Sequence, residues 1–154
     1  MAGGLGMVCT GDVVAVTSDA KFALTETTLG IPPAQIAPFV AQRLGLRTAR
    51  RLMLTASRFD GAEAGRLGLA DHVVEDAAGL EAVEAEVRKQ VMRCAPGANA
   101  VTKEILLATR HLDRPAMLDF AADGFARCML GEEGREGIAS FLEKRKPAWT
   151  GGAS

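Results

Sequence analysis

From residue 77 onward the apolar side chains recur only at the three- and four-residue spacing of an α-helix, which constrains the fold more than any other feature. The first stripe ends at Pro96-Gly97 and consists of Leu80, Val83, Val87, Val91 and Cys94. Further helices are predicted over residues 98–109, 115–130 and 132–145, because Arg114-Pro115 and Gly131 interrupt the pattern. The second half of the chain is therefore predicted to be helical.

The first 76 residues have a mixed pattern. Short β-branched or apolar runs predict strands at residues 13–16, 22–24 and 72–74. Helical spacing predicts helices at residues 34–44, 48–55 and 61–67, the first of them ended by Gly45, and a small apolar segment at 2–11 predicts the start of a buried helix. The predicted class is α/β, with a core portion over 1–76, a helical module over 77–148 and a disordered tail over 149–154.

Composition narrows the possible partners. Hydrophobic residues make up 48% of the chain and charged residues 24%, which is typical of a domain with a buried core. The formal net charge of -1 indicates neither a nucleic-acid partner nor a membrane surface. Cys9, Cys94 and Cys128 are widely spaced, so neither a metal site nor a disulfide framework is predicted, and a cytoplasmic location is expected.

Two features could carry chemistry. Glycines cluster in Ala2-Gly3-Gly4-Leu5-Gly6, at a predicted helix start, where free N–H groups would suit a developing oxyanion. Such clusters are more often packing devices. Glu26 lies between an apolar strand and the rigid Gly30-Ile31-Pro32-Pro33 loop, which favours an apolar setting useful for proton transfer. The alternative is that Glu26 is solvated surface.

These features occur in a recognisable order. The sequence contains Ala2-Gly3-Gly4-x-Gly6, then Asp12, then Phe22-Ala23-x-x-Glu26-x-x-x-Gly30-x-x-Pro33. Later come Leu54-Thr55-Ala56-x-Arg58-Phe59-Asp60, Glu63-Ala64, Leu67-Gly68-Leu69 and Phe141-Leu142-Glu143-Lys144-Arg145-Lys146-Pro147. The whole series resembles the crotonase (enoyl-CoA hydratase/isomerase) family. The resemblance implies the C-terminal part of a crotonase-like ββα spiral core, followed by a helical oligomerisation module.

The resemblance also implies the catalytic groups. Gly3 falls on an oxyanion-hole position whose backbone N–H binds the thioester carbonyl, and Glu26 falls on the catalytic glutamate. A second glutamate, common in the hydratases, would fall at Gly6 and is absent. The remaining single carboxylate resembles either the Δ3,Δ2-enoyl-CoA isomerases or the branched-chain (methylglutaconyl/isohexenylglutaconyl) CoA hydratases. Residues 30–40, with a Pro-Ala-x-Ile-x-Pro core, favour the glutaconyl type.

The substrate-binding positions follow from the same resemblance. Gly4, Gly30 and Pro33 fall near the acyl-CoA substrate, while Phe141 and Lys144 fall on positions that contact the nucleotide end of CoA. The alternative for the last two is a frayed terminal helix anchored by Phe141. CoA enters only as part of the substrate, and no separate cofactor is implied.

A cluster of arginines leaves two interpretations open. Arg43, Arg47, Arg50 and Arg51 could meet CoA phosphates, or they could form a solvated helix face. Neither interpretation is favoured by the sequence.

The family fold ordinarily begins with strand-strand-helix units that are not recognisable in this sequence. The chain is therefore expected to be a C-terminal half, inactive or nearly so by itself, and to assemble as a homotrimer or hexamer. A truncated, non-catalytic remnant is the competing hypothesis. A relative that binds RNA has no basic stripe to support it.

Overall fold

The computed structural model describes residues 2–151, which divide into two compact units between Ala85 and Glu86. The boundary between these units falls within the helix Ala77–Val91, and the functional division after residue 76 stays a prediction. The predicted α/β class is confirmed. The elements of the first unit are α1 (Ala2–Val8), β1 (Ala15–Thr17), β2 (Lys21–Ala23), a 3-10 helix (Glu26–Leu29), α2 (Ala37–Leu54), β3 (Arg58–Asp60), α3 (Gly61–Leu67), β4 (His72–Val74) and the start of α4 (Ala77–Val91).

Two small sheets form the strand part of this unit. β1 pairs in parallel with β4, in a register that sets Ala15 opposite His72. β2 pairs antiparallel with β3, and the rings of Phe22 and Phe59 stack at 5.4 Å across that pair. β3 was not predicted as a strand, because Phe59 is its only apolar residue and lies between two charged ones. The segment forms a strand through its pairing with β2.

The core of the first unit is formed by side chains of α1, β1, α2 and α3 and of the segments that follow β2 and α3. Its largest fully buried side chains are Leu5, Leu24, Val40, Leu52 and Leu69. α2 bends at Gly45, whose φ of 74° is left-handed and costs a glycine little. The predicted interruption at Gly45 is thus confirmed, although the helix resumes at once and continues to Leu54.

Arg43 ties three segments of this unit together. Its guanidinium donates to the carbonyl oxygens of Gly11 (3.1 Å) and Leu69 (3.2 Å), and forms an ion pair with Asp71 at 2.6 Å. The Asp71 carboxylate also accepts the N–H of Val14 at 2.8 Å. Burial alone would raise the pKa of Asp71, but the Val14 N–H and the Arg43 guanidinium outweigh it and hold that pKa below its ordinary value.

The second unit is helical, as predicted. It contains the end of α4, then α5 (Pro96–Ala108), α6 (Arg114–Leu130), α7 (Glu132–Leu142) and a 3-10 helix (Ala148–Thr150). Glu133 accepts hydrogen bonds from the N–H groups of Gly97 (3.0 Å) and Ala98 (3.1 Å), at the start of α5. Asp113 caps α6 by accepting the N–H of Ala116 at 3.0 Å.

The end of the described chain corrects one expectation. Trp149, assigned to a disordered tail, belongs instead to the 3-10 helix Ala148–Thr150, because its Nε1 donates to the carbonyl oxygen of Arg93 at 3.2 Å. Glu136 holds the same segment by accepting the guanidinium of Arg145 and the N–H of Ala148. The Arg145 bond and then the Ala148 bond lower the pKa of Glu136 to about 2. Residues 152–154 of the predicted tail lie outside the described residues.

None of the helices within residues 2–151 is both long enough and apolar enough to cross a membrane.

Candidate active site

Glu26 opens the 3-10 helix that directly follows β2. Its loop is anchored on both sides, since the N–H of Leu24 donates to the carbonyl oxygen of Ser57 (3.0 Å) and the Thr27 hydroxyl donates to that of Met53 (3.3 Å). Leu24 is buried in the core. The backbone around Glu26 is therefore held by α2 and by the segment that follows it.

One carboxylate oxygen of the half-buried Glu26 is left without a partner. Its Oε2 atom is buried and accepts no hydrogen bond from any part of the chain that the structure describes. A buried, unpaired carboxylate oxygen is costly, and such atoms concentrate where a ligand or catalytic step supplies the missing partner. The interpretation of Glu26 as a fully solvated surface group does not fit this burial.

The glycines of α1 present an open surface. Gly3 and Gly4 are exposed, and a Cβ at either position would meet no atom within 4 Å. Because both lie in the first turn, their N–H groups have no acceptor within the helix. α1 packs against β2, the strand that leads to Glu26. Both halves of the predicted catalytic pair therefore belong to the same unit.

Gly6 differs from its neighbours on α1. A Cβ at Gly6 would lie 2.5 Å from Cγ2 of Ile36, so no other residue fits there without displacing Ile36. The position where the family's first glutamate would fall is thus closed by an apolar side chain. The sequence indicated Ile36 only as part of a helical stripe, and no local signal could have revealed this contact.

Gly30 and Pro33 belong to the loop between Glu26 and α2. Gly30 has a φ of 75°, which explains the glycine, and Ile31 donates its N–H to the Glu26 carbonyl oxygen at 3.4 Å. The Pro33 carbonyl oxygen accepts the N–H groups of Ile36 (3.2 Å) and Ala37 (2.9 Å). The loop is therefore internally hydrogen-bonded from its start to the beginning of α2.

Phe141 and Lys144 lie in the second unit, at the end of α7. Phe141 is 81% exposed, so it does not act as a buried anchor within this unit. Lys144 takes a left-handed φ of 54° and donates its N–H to the Phe141 carbonyl oxygen at 3.2 Å. α7 thus ends in a defined turn at Lys144.

The four arginines of α2 separate into two groups. Arg43 is 15% exposed and is committed to the contacts described above, so it is not part of a solvated face. Arg47, Arg50 and Arg51 line an open cleft of about 620 Å³ together with Leu46, Leu54 and Thr55. Within the described part of the chain, no group of histidine, cysteine and acidic side chains could hold a metal ion.

The model of the family described as enoyl-CoA hydratase/isomerase matches residues 1–152. The chain belongs to this family. Its solved structural neighbours include Pseudomonas aeruginosa AtuE, 53% identical with a TM-score of 0.94, over 97% of this chain and 58% of that one. A family structure from Marinobacter aquaeolei is 43% identical with a TM-score of 0.92, over 97% and 57%. The expected crotonase fold is therefore confirmed.

Curated relatives in the family act on several CoA thioesters. The mevalonyl-coenzyme A hydratase sidH of Aspergillus fumigatus is 32% identical over 97% of this chain and 56% of its own length. The carnitinyl-CoA dehydratase of Proteus mirabilis is 30% identical over 97% of this chain and 59% of its own length. The chain thus spans a little more than half the length of these family members.

Proposed function

We propose that this chain contributes the proton-transfer carboxylate and one oxyanion donor to the hydration of an unsaturated acyl-CoA thioester. The observation that carries the proposal is the buried, unpartnered Oε2 of Glu26, in the same unit as the open glycine face of α1. The family contains hydratases and a dehydratase of CoA esters, and their names favour addition or removal of water.

In the proposed reaction, Glu26 accepts a proton from water while the water oxygen bonds to C3 of the enoyl group. The electrons of the C2–C3 double bond move onto the thioester carbonyl, where the N–H of Gly3 stabilises the enolate oxygen. The protonated Glu26 then returns its proton to C2. The net reaction is the addition of water across the C2–C3 double bond, with no overall change in oxidation state.

We favour a branched, glutaconyl-type acyl group because of the Pro33-Ala34-x-Ile36-x-Pro38 pattern and the closed space at Gly6. The same single carboxylate favours a second candidate, Δ3,Δ2-isomerisation, in which Glu26 moves one proton between C2 and C4. We also propose that Gly4, Gly30 and Pro33 line the substrate site. Phe141 and Lys144 are proposed to contact the nucleotide end of CoA.

The chain is proposed to correspond to the C-terminal half of longer family members, acting in the cytoplasm. It matches 56–59% of the length of three of its curated relatives, so a complete site would include residues from elsewhere. The competing proposal, a non-catalytic remnant, predicts no turnover under any condition.

The test is Glu26→Gln in the chain combined with the N-terminal half of AtuE, which restores full family length. Removing the carboxylate should lower turnover about 10²–10⁴-fold and leave CoA-ester binding nearly unchanged, since the amide keeps the shape but accepts no proton. Glu81→Gln, an exposed carboxylate on α4, is the matched control. Near-normal turnover in Glu26→Gln would overturn the assignment.

A further inference from the structure

Ile36 lies so close to the α1 backbone at Gly6 that residue 6 has no room for a side chain. Cγ2 of Ile36 lies 2.5 Å, and its Cβ 3.0 Å, from the place where a Cβ of Gly6 would stand. Gly6 is buried, whereas Gly3 and Gly4, which belong to the same helix, are exposed and lie next to open space. The α1 backbone therefore rests directly on one methyl group.

The backbone of Ile36 is held by two hydrogen bonds, which limits how far this methyl group can move. Its N–H donates to the Pro33 carbonyl oxygen at 3.2 Å, and its carbonyl oxygen accepts the N–H of Val40 at 3.0 Å. A β-branched side chain at a helix start has few rotamers, and Ile36 also packs against the buried core. It acts as a fixed wedge between α1 and α2.

The loop beneath this wedge leads back to Glu26. Its first bond joins the Ile31 N–H to the Glu26 carbonyl oxygen, and its last turn is closed by the Pro33 carbonyl oxygen. Gly3 lies three residues before Gly6, on the same side of α1. A displacement of Ile36 would therefore shift Gly3 relative to Glu26.

We propose that Ile36 is a positioning residue, whose branched methyl group sets the separation between the Gly3 N–H and the Glu26 carboxylate. The proposal rests on the proposed function for its catalytic meaning, but the wedge itself is a property of the fold. It differs from simple filling of space, because what matters is the branch at Cβ and not the side-chain volume.

Two substitutions separate the branch from the volume. Ile36→Val keeps Cβ and Cγ2 and loses only the terminal methyl, whereas Ile36→Leu keeps the volume and loses Cγ2. In the chain combined with the AtuE half, Ile36→Val should leave kcat within about twofold. Ile36→Leu should lower kcat about tenfold or more with little change in KM, since small misplacements of reacting groups slow chemistry strongly. Equal effects, or a larger loss for valine, would overturn the proposal.

A stability cycle on the chain alone tests the wedge without any turnover. Gly6→Ala should lower the folding equilibrium constant about 10²-fold by overpacking, even though alanine is the better helix former. Ile36→Ala should lower it about tenfold. The double variant should be no less stable than Gly6→Ala, because the shorter contact, with Cγ2 of Ile36, is then removed. Gly4→Ala, which meets no neighbour, should not destabilise.

The possible failures are distinguishable. If the double variant loses stability by the product of the two single-variant factors, the wedge is overturned. If Gly6→Ala does not fold, failure of the double variant to fold would also overturn it. The Gly3 amide resonance should shift in Ile36→Leu and stay in place in Ile36→Val. Absence of activity in the wild type, with the cycle and the resonance as expected, would reject the proposed function and leave the wedge intact.

Discussion

Asp71 shows how a single exposed carboxylate can help to fix the first unit. It receives the Arg43 guanidinium at 2.6 Å and the Val14 N–H at 2.8 Å, although 44% of its side chain is exposed. Its folded pKa lies below the ordinary value of 3.8, so the ionised form is favoured by folding. Arg43 in turn donates to the Gly11 carbonyl oxygen, which ties the loop after α1 to α2.

Asp71→Asn should therefore destabilise the chain near neutral pH and make little difference in acid. The stabilisation is present above the unfolded pKa and is lost as pH falls through the lower, folded one, so wild type and variant should converge at acid pH, below the ordinary carboxyl pKa. Solvent screening keeps the difference near about 1 kcal/mol. Chemical denaturation between about pH 3 and pH 7 measures it. A difference that does not change with pH would contradict this account.

At the scale of elements, α3 is joined to β1 by a contact that admits no side chain. A Cβ at Gly61 would overlap the carbonyl oxygen of Thr17, a backbone atom that cannot rotate away. The N–H of Ala62 donates to the Ser18 carbonyl oxygen at 3.1 Å, so the first turn of α3 is hydrogen-bonded to the end of the strand. The backbone of β1 therefore fixes where α3 begins.

Gly61→Ala should destabilise the first unit by about 3 kcal/mol or more, since both backbones must move apart. Thermal or chemical unfolding measures the loss, and Gly4→Ala supplies the control in open space. Wild-type stability in Gly61→Ala would show that the strand and α3 separate more easily than their hydrogen bond suggests.

At the scale of the whole molecule, each sheet of the described chain has only two strands. Small sheets with open edges seldom stand alone and invite further pairing. The second unit also carries large exposed apolar side chains on α6, α7 and their ends, namely Leu118, Phe125, Leu130, Phe141 and Leu142. Both features agree with a chain that matches little more than half of its relatives' length.

We expect the second unit to assemble as trimers or dimers of trimers through the α6 stripe of Leu118, Ala121, Phe125 and Cys128. Phe125 is 68% exposed, so Phe125→Ser removes apolar area without leaving a cavity in the unit. Light scattering should show a smaller assembly for Phe125→Ser, and the wild-type assembly for Asp119→Ser on the same helix. A wild-type chain that stays monomeric at micromolar concentration would contradict the expectation.

The chain alone should show little or no turnover of crotonyl-CoA or 3-methylglutaconyl-CoA. Gly3 supplies one oxyanion donor, and loss of the other typically costs about 10²–10³ in kcat. Loss of substrate positioning adds to this. Activity should appear when the N-terminal half of AtuE is added. High activity of the chain alone would show that the oxyanion hole is placed wrongly.

Sequence by itself determined the elements whose signals are local. The predicted bounds of α3 and β4 match the structure. In α3, Asp60 caps the start by accepting the Glu63 N–H at 2.8 Å, and Gly68 ends the helix at a φ of 78°. The order of Gly3, Glu26 and Gly30 likewise indicated the family before any coordinates, since motif order is a property of the chain. The bend of α2 at Gly45 followed from a single glycine.

Tertiary structure alone decided the contacts between segments distant in sequence. β3 is a strand because it pairs with β2. Arg43 differs from the other arginines of α2 because it binds Gly11, Leu69 and Asp71. The closed space at Gly6 required Ile36, thirty positions away, to meet α1. Periodicity records which face of an element is buried, whereas the atom that occupies a given space depends on how the whole chain packs.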